Sequence, residues 1–417
     1  MTNKEIERVR SLAREVREIA ELPVQQENIR LWKGINDKKM IRPTVLTRDT
    51  KKFLLSQGTD ELDNQCSDPF LAAIESDLLR TLYDWRHTRG DMVVEPFYRC
   101  SCVVGNTGFG LTPAATNSLA SDNESYSRAI HFDPIIKGWD DIDMIKIPQV
   151  HYDESATMEK LAKTREVLDG ILDVKLFGQH AFRAQIWDNL LSWTGLQEGM
   201  LVFYTDPDFM HALADRMVDA FISQAKQYEE QGILSSNNTN LYTGTGGYGY
   251  SDELPPDTES GIDARLCDIW GQVQDQILTT ISPEMTKEFA FEHEAKYAEL
   301  FHSNYYGCCE KLDHKIKELA TIPRLKKISV SPFSNKEAAM EAIGDKYIVS
   351  FKPNNIWLTD AVIDEEKIRR ELVEVCELAR KYNCTVEILI KTIVNLRGDP
   401  TRLWRWFEIA DEVIRNF

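Results

Sequence analysis

Long apolar runs are missing from this 417-residue chain; stretches such as Ile388-Leu389-Ile390 end after a few residues. No membrane-spanning helix and no membrane partner are therefore expected. Residues Met1 to Arg10 carry both signs of charge with no apolar stretch behind them, so no secretory leader is expected and a cytoplasmic location is. Basic residues are in deficit, with 49 Lys and Arg against 67 Asp and Glu and a formal net charge of −18. That balance excludes the clustered positive surface of a sequence-independent nucleic-acid binder. By itself it signifies only solubility. Cysteine is sparse, at positions 66, 100, 102, 267, 308, 309, 376 and 384. Without export these read as thiols rather than a disulfide framework. The N-x-[ST] matches at Asn123, Asn237 and Asn383 are then chance matches. Repeats, low-complexity tracts and the nucleophile signature G-x-S-x-G are also lacking.

What is present suits a globular enzyme. Hydrophobic residues make up 42% and charged residues 28%, enough for a sizeable core. Two helical segments open the chain, about 3–20 and 25–38. Short β-rich runs then alternate with helix-patterned ones: 43–47, 92–97, 172–177, 239–243, 303–307, 327–331, 347–351 and 386–391. Asp206-Pro207 and Ser282-Pro283-Glu284 are helix starts. Eight strands separated by helices predict a parallel α/β fold, a single (β/α)8 TIM barrel over 1–417, with an open doubly wound sheet as the alternative. The N-terminal helices cover about 1–40. Residues of about 103–150, rich in Gly, Asn, Ser and Asp, break the rhythm and read as a long insertion over one end of the barrel.

Barrel chemistry sits at the carboxyl ends of strands. There the sequence places Thr47-Arg48-Asp49, Glu95, Tyr242-Thr243-Gly244, Cys308-Cys309-Glu310, Lys352-Pro353 and Lys391. Cys308, Cys309, Glu310 and His314 offer thiolate, carboxylate and imidazole to a thiophilic metal, although adjacent cysteines lack the usual C-x2-C spacing. Glu95 follows two valines, where a carboxylate is costly unless paired or catalytic; Lys352 has the same standing. Cys100 and Cys102 read as structural. Gly244 to Gly249 carries the letters G-x-G-x-x-G, but the following Pro255-Pro256 cannot open the helix that a dinucleotide site needs. Asp252 and Glu253 lie beside that loop.

Trp270-Gly271-Gln272, then Ser282-Pro283-Glu284-Met285, then the strand ending Tyr306-Gly307-Cys308 resemble, in that order, the uroporphyrinogen decarboxylase superfamily. The Arg42-Pro43 strand and Asp206-Pro207-Asp208-Phe209 add to the likeness, which spans most of 30–400. The resemblance implies a one-domain barrel and two branches of chemistry. The decarboxylases carry an early R-Q-A-G-R loop, and here Thr47-Arg48-Asp49-Thr50 stands instead. The methyltransferase branch binds zinc through H-x-C and a later Cys. Cys308 matches that Cys, Tyr306 stands in place of the His, and no late cysteine follows Lys352-Pro353.

The expectation is therefore a corrinoid-dependent methyltransferase. It moves a methyl group between a small methylated compound and a cobalamin carrier protein, with zinc as an optional cofactor at Cys308, Cys309, Glu310 or His314. Glu95, Lys352 and Tyr306 are the expected catalytic residues, and Arg48, Tyr242, Asp252 and Glu253 the expected substrate contacts. The alternative is a metal-independent decarboxylase or lyase for a small organic acid, with Lys352, Arg48 and Lys391 holding carboxylates. A homodimer is compatible with the sequence.

Overall fold

A computed structural model describes residues 1–117 and 130–417. Asn123 and part of the expected insertion lie outside them. Helix α1 (Asn3–Ala20) starts in a capping box between Thr2 and Glu5 and buries Val9, Leu12, Ala13 and Val16, spaced three and four apart. Helix α2 (Val24–Asn36) follows, so both expected N-terminal helices are present. α1 packs on α3 (Pro69–His87), whose Asp68 N-cap and Pro69 define a sharp start.

The strands are β1 (Thr44–Arg48), β2 (Phe97–Ser101), β3 (Asp173–Phe177), β4 (Phe182–Ala184), β5 (Trp270–Val273), β6 (Ser303–Tyr306), β7 (Leu325–Val330), β8 (Ile348–Phe351) and β9 (Thr385–Lys391). Seven form one curled parallel sheet in the order β1-β9-β8-β7-β6-β5-β4, and β2 pairs with β3. The fold is thus a parallel α/β half-barrel. Among the described residues the eight-stranded ring is not closed, because β1 and β2 are not paired.

Two expected strands are displaced for identifiable reasons. The apolar run at 92–97 is not extended into a ladder. Gln25 Oε1 accepts from Val94 N (2.9 Å) and Asn28 Nδ2 donates to Met92 O (2.8 Å), so helix α2 satisfies this backbone and the strand begins only after Pro96. The 239–243 run folds back on itself, with Gly249 N donating to the carbonyls of Thr239 and Leu241. This glycine loop plugs the barrel interior. No helix opens from it, as the flanking prolines predict. Its Tyr248 and Tyr250 pack with Trp32, Leu46, Val93 and Leu389 in an apolar cluster separate from the main core.

The free edge of β1 is completed by side chains. Asp91 accepts from Val45 N (2.8 Å) and its own N–H donates to Val45 O (2.9 Å), imitating a neighbouring strand. Arg42 donates to both oxygens of that carboxylate. Tyr242 OH donates to Thr47 O at 2.7 Å.

Candidate active site

Side chains alternate across each strand. In β6 this sends Tyr305 to the concave face and Tyr306 to the opposite one, where it packs edge-on against Phe291. The same alternation puts Lys327, Ser350, Lys352, Glu387 and Lys391 on the concave side. Lys327 Nζ and Glu387 Oε2 form an ion pair at 2.8 Å with neither side chain exposed. Ser350 Oγ (2.6 Å) and Gly247 N (3.0 Å) also donate to that carboxylate. Burial works against the Glu387 anion, but Lys327 and Lys352 outweigh it and hold its pKa below the usual range. Removing either partner of such a pair costs about 3–5 kcal/mol, because the remaining charge stays buried.

Lys352 sits above this pair. Its Nζ donates to Ser350 Oγ (2.6 Å) and Tyr305 OH (3.1 Å). Burial first, and the like charge of Lys391 second, bring its pKa down to about 7. Tyr305 OH also accepts from Thr245 Oγ1 at 3.0 Å.

The chain turns sharply at Gly307, whose φ of 94° favours glycine. The thiols follow directly. Cys308 and Cys309 Sγ lie 3.6 Å apart, and Lys391 Nζ stands 3.0 Å from the first and 3.4 Å from the second. The hydrogen bond between the two sulfurs, reinforced by Lys391, brings the Cys309 thiol down to about 6. The same bond pushes Cys308 up, so the pair holds one proton and one negative charge at neutral pH. Glu310 clamps the turn by accepting from Cys308 N at 2.7 Å; burial raises it to about 7.

Of the residues expected to hold a metal, Cys308, Cys309 and Glu310 meet at this turn and His314 does not join them. His314 is exposed, Glu310 is spent on the turn, and the Lys391 ammonium stands against both sulfurs. Among the described residues no group of three His, Cys, Asp or Glu side chains has metal-binding geometry. The residues present do not fit a protein-held zinc.

Beside the thiols lies a cavity of about 530 Å³. Gly307 connects the two, since its carbonyl accepts from the cavity residue Gln272 at 3.1 Å. Arg48 from β1 and Arg183 from β4 line it, together with Gln179, His180, Gln185 and Tyr242. Arg48 Cζ stands 5.1 Å from the Tyr242 ring centre. Burial lowers the Arg48 pKa, and Arg183 adds to the lowering. Burial also brings His180 down to about 4, so it is neutral. Among the described residues no acidic side chain lines this space. Asn106 and Phe109 come from the insertion, which therefore does cover one end of the sheet.

Four further expectations change. Glu95 precedes β2 and so lies at its amino end, where it pairs with Arg99 and accepts from Tyr250 OH (2.8 Å). Tyr306 faces away from the concave side. Asp252 pairs with Lys33 at 2.5 Å and Glu253 with Lys326, both outside the cavity. Arg48 and Tyr242 do line it. Sequence reading missed Lys327, Glu387, Tyr305 and Arg183. Strand alternation carries the signal for the first three, since charged or hydroxylated residues recur every second position in apolar strands. All eight cysteines are free thiols. Asn237 is buried and bonded to the Trp270 backbone through both side-chain atoms, and Asn383 is a left-handed helix cap, so neither motif match marks a modification site. No helix of the described residues is long and apolar enough to cross a membrane.

No family model matches the chain, and comparison with curated proteins gives no match. Among solved structures, a methyltransferase from Methanosarcina mazei is similar at a TM-score of 0.49 and 11% identity, over 91% of this chain and 97% of that one.

Proposed function

We propose that this protein is a methyltransferase that takes a methyl group from a small anionic compound and delivers it to a corrinoid carried by a partner protein. The observation that carries the reading is a thiolate held at neutral pH by Lys391, next to a cavity whose charge comes from Arg48 and Arg183. A soft anionic sulfur suits attack on a saturated carbon. The Cys308–Cys309 pair, with Lys391 against both sulfurs, carries one negative charge at neutral pH.

In the first half-reaction the Cys309 sulfur attacks the methyl carbon. The S–C bond forms as the bond from carbon to its heteroatom breaks, and the electron pair leaves with the heteroatom. Lys352, with a pKa of about 7, gives that atom a proton. Cys308, 3.6 Å away, shares the remaining proton of the pair with that sulfur. In the second half-reaction Cys309 would give up the methyl group and return to the thiolate, which Lys391 holds. A corrinoid on its carrier would supply the reduced centre that takes the methyl group as a cation equivalent. The 530 Å³ cavity takes one small molecule, so the corrinoid stays on its carrier.

Methylcobalamin with a deuterated methyl group tests the reading by running the second half-reaction backwards. The expected result is a labelled methyl on Cys309 by peptide mass spectrometry, lost in Cys309→Ser and kept in Cys308→Ser. An unlabelled Cys309 in the wild type overturns it.

A second reading, a lyase for an organic acid, is favoured by one observation: the Lys352 amine hydrogen-bonded to Tyr305 is poised for proton transfer without any thiol. Decarboxylase turnover that survives Cys309→Ser and is lost in Lys352→Met identifies it.

A further inference from the structure

Two unlike sets of residues line the cavity. Arg48 and Arg183 come from strands at opposite ends of the seven-stranded order, yet Arg183 is among the charges that lower the Arg48 pKa. Neither guanidinium has a carboxylate partner among the described residues. Arg48 donates to Gly244 O, and its other neighbours are the Tyr242 ring and the thiol turn. Two like charges gathered without a counter-ion are unfavourable until an anion joins them. Both guanidiniums present forked donors, which match a carboxylate.

The second set consists of rings. Phe109 from the insertion meets Phe221 edge-on at 4.9 Å, and Phe182 meets Tyr228 edge-on at 6.0 Å. All four line the cavity. A ligand ring set against such rings gains edge-to-face or offset contact beyond its buried area, which an open-chain ligand does not. Gln179, Gln185, Asn189 and Gln224 also line the cavity, amides able both to donate to and accept from neutral oxygen substituents.

We infer that the ligand of this cavity is a one-ring aromatic carboxylic acid. Its carboxylate lies between Arg48 and Arg183 and its ring lies against Phe109 and Phe221. The inference rests on the proposed methyl transfer only for the role of the ligand as methyl donor; the binding chemistry stands apart from the thiols.

Equilibrium titration with benzoate, 4-methoxybenzoate, benzamide, cyclohexanecarboxylate and acetate tests it on the full chain. Both benzoates are expected to bind at least tenfold more tightly than benzamide or acetate, and more tightly than cyclohexanecarboxylate. Arg183→Gln should weaken benzoate tenfold or more at an unchanged melting temperature, since Arg183 is exposed to the cavity and holds no structural contact among the described residues. Phe109→Ala should weaken benzoate and leave acetate unaltered. Equal binding of benzoate and benzamide, or of benzoate and acetate, overturns the inference, as does the absence of benzoate binding. Benzoate carries no methyl group, and its binding should persist in Cys309→Ser. Benzoate binding without methyl labelling of Cys309 therefore defeats the methyltransferase reading alone; labelling without benzoate binding defeats the aromatic-acid inference alone.

Discussion

Lys352 shows how burial sets the chemistry of a single side chain. An unfolded lysine titrates near 10.4, whereas in the fold Lys352 titrates at about 7. Between those values the unfolded chain holds the extra proton, so stability rises with pH across that window. Below pH 7 both states are protonated and the cost of burying the ammonium is present in full. Lys352→Met should therefore flatten the stability curve between about pH 7 and 10, removing a slope of up to about 1.4 kcal/mol per pH unit. Urea titrations at several pH values read this directly. A slope equal to that of the wild type would mean that the lysine is neutral or charged to the same extent in both states. In the Glu387–Lys327 pair the balance differs on the two sides: the lysines outweigh burial and lower Glu387, whereas burial outweighs Glu387 and lowers Lys327.

At the level of elements, the glycine loop is the part least forgiving of change. A Cβ on Gly247 would stand 2.2 Å from the Trp32 ring, and Trp32 is fully buried with its Nε1 bonded to Asp91 O. The ring has nowhere to go, so Gly247→Ala should cost about 1–3 kcal/mol, seen as a lower urea midpoint with an unchanged slope. That loop also marks where sequence reading stops. The helices at 3–20 and 25–38 were legible from the helical spacing of their apolar residues, and six of the strands as short β-rich runs bounded by Gly, Pro, Asp or Asn. The residues at 239–243 look equally extended, but their backbone partners are four to ten residues away in a loop, which the run itself does not register. Strands β4 and β5, with Arg183 and with Gly271-Gln272 in three- and four-residue spans, have no such apolar run to mark them. The Cys308–Cys309 turn was legible from the sequence. Its partner Lys391 lies 82 and 83 residues away, and only the β6-β7-β8-β9 order brings it near.

On the scale of the whole molecule, charge is unevenly placed. The chain carries −18 overall, yet among the described residues the candidate cavity is lined by two arginines and no acid. Self-repulsion of the surplus acids destabilises the compact state, and salt screens it. Raising sodium chloride from about 20 to about 200 mM should thus raise the melting temperature, by a few degrees, while weakening any anion held by Arg48 and Arg183. Calorimetry and titration in the same two buffers give both signs; a melting temperature that falls with salt would show that attractive ion pairs dominate the surface. The two effects are separable because the repelling acids are dispersed and the arginines are confined.

The carboxylate of Asp91, lying along β1, carries a consequence beyond the site. A parallel sheet with an open seam offers a row of unused amide and carbonyl groups to any extended peptide, including another copy of itself. Here Asp91, locked by Arg42, occupies that template at Val45, and the Tyr242 hydroxyl occupies it at Thr47. Along β1 the sheet is thereby kept from recruiting a further strand, by one acid and one phenol instead of by closure.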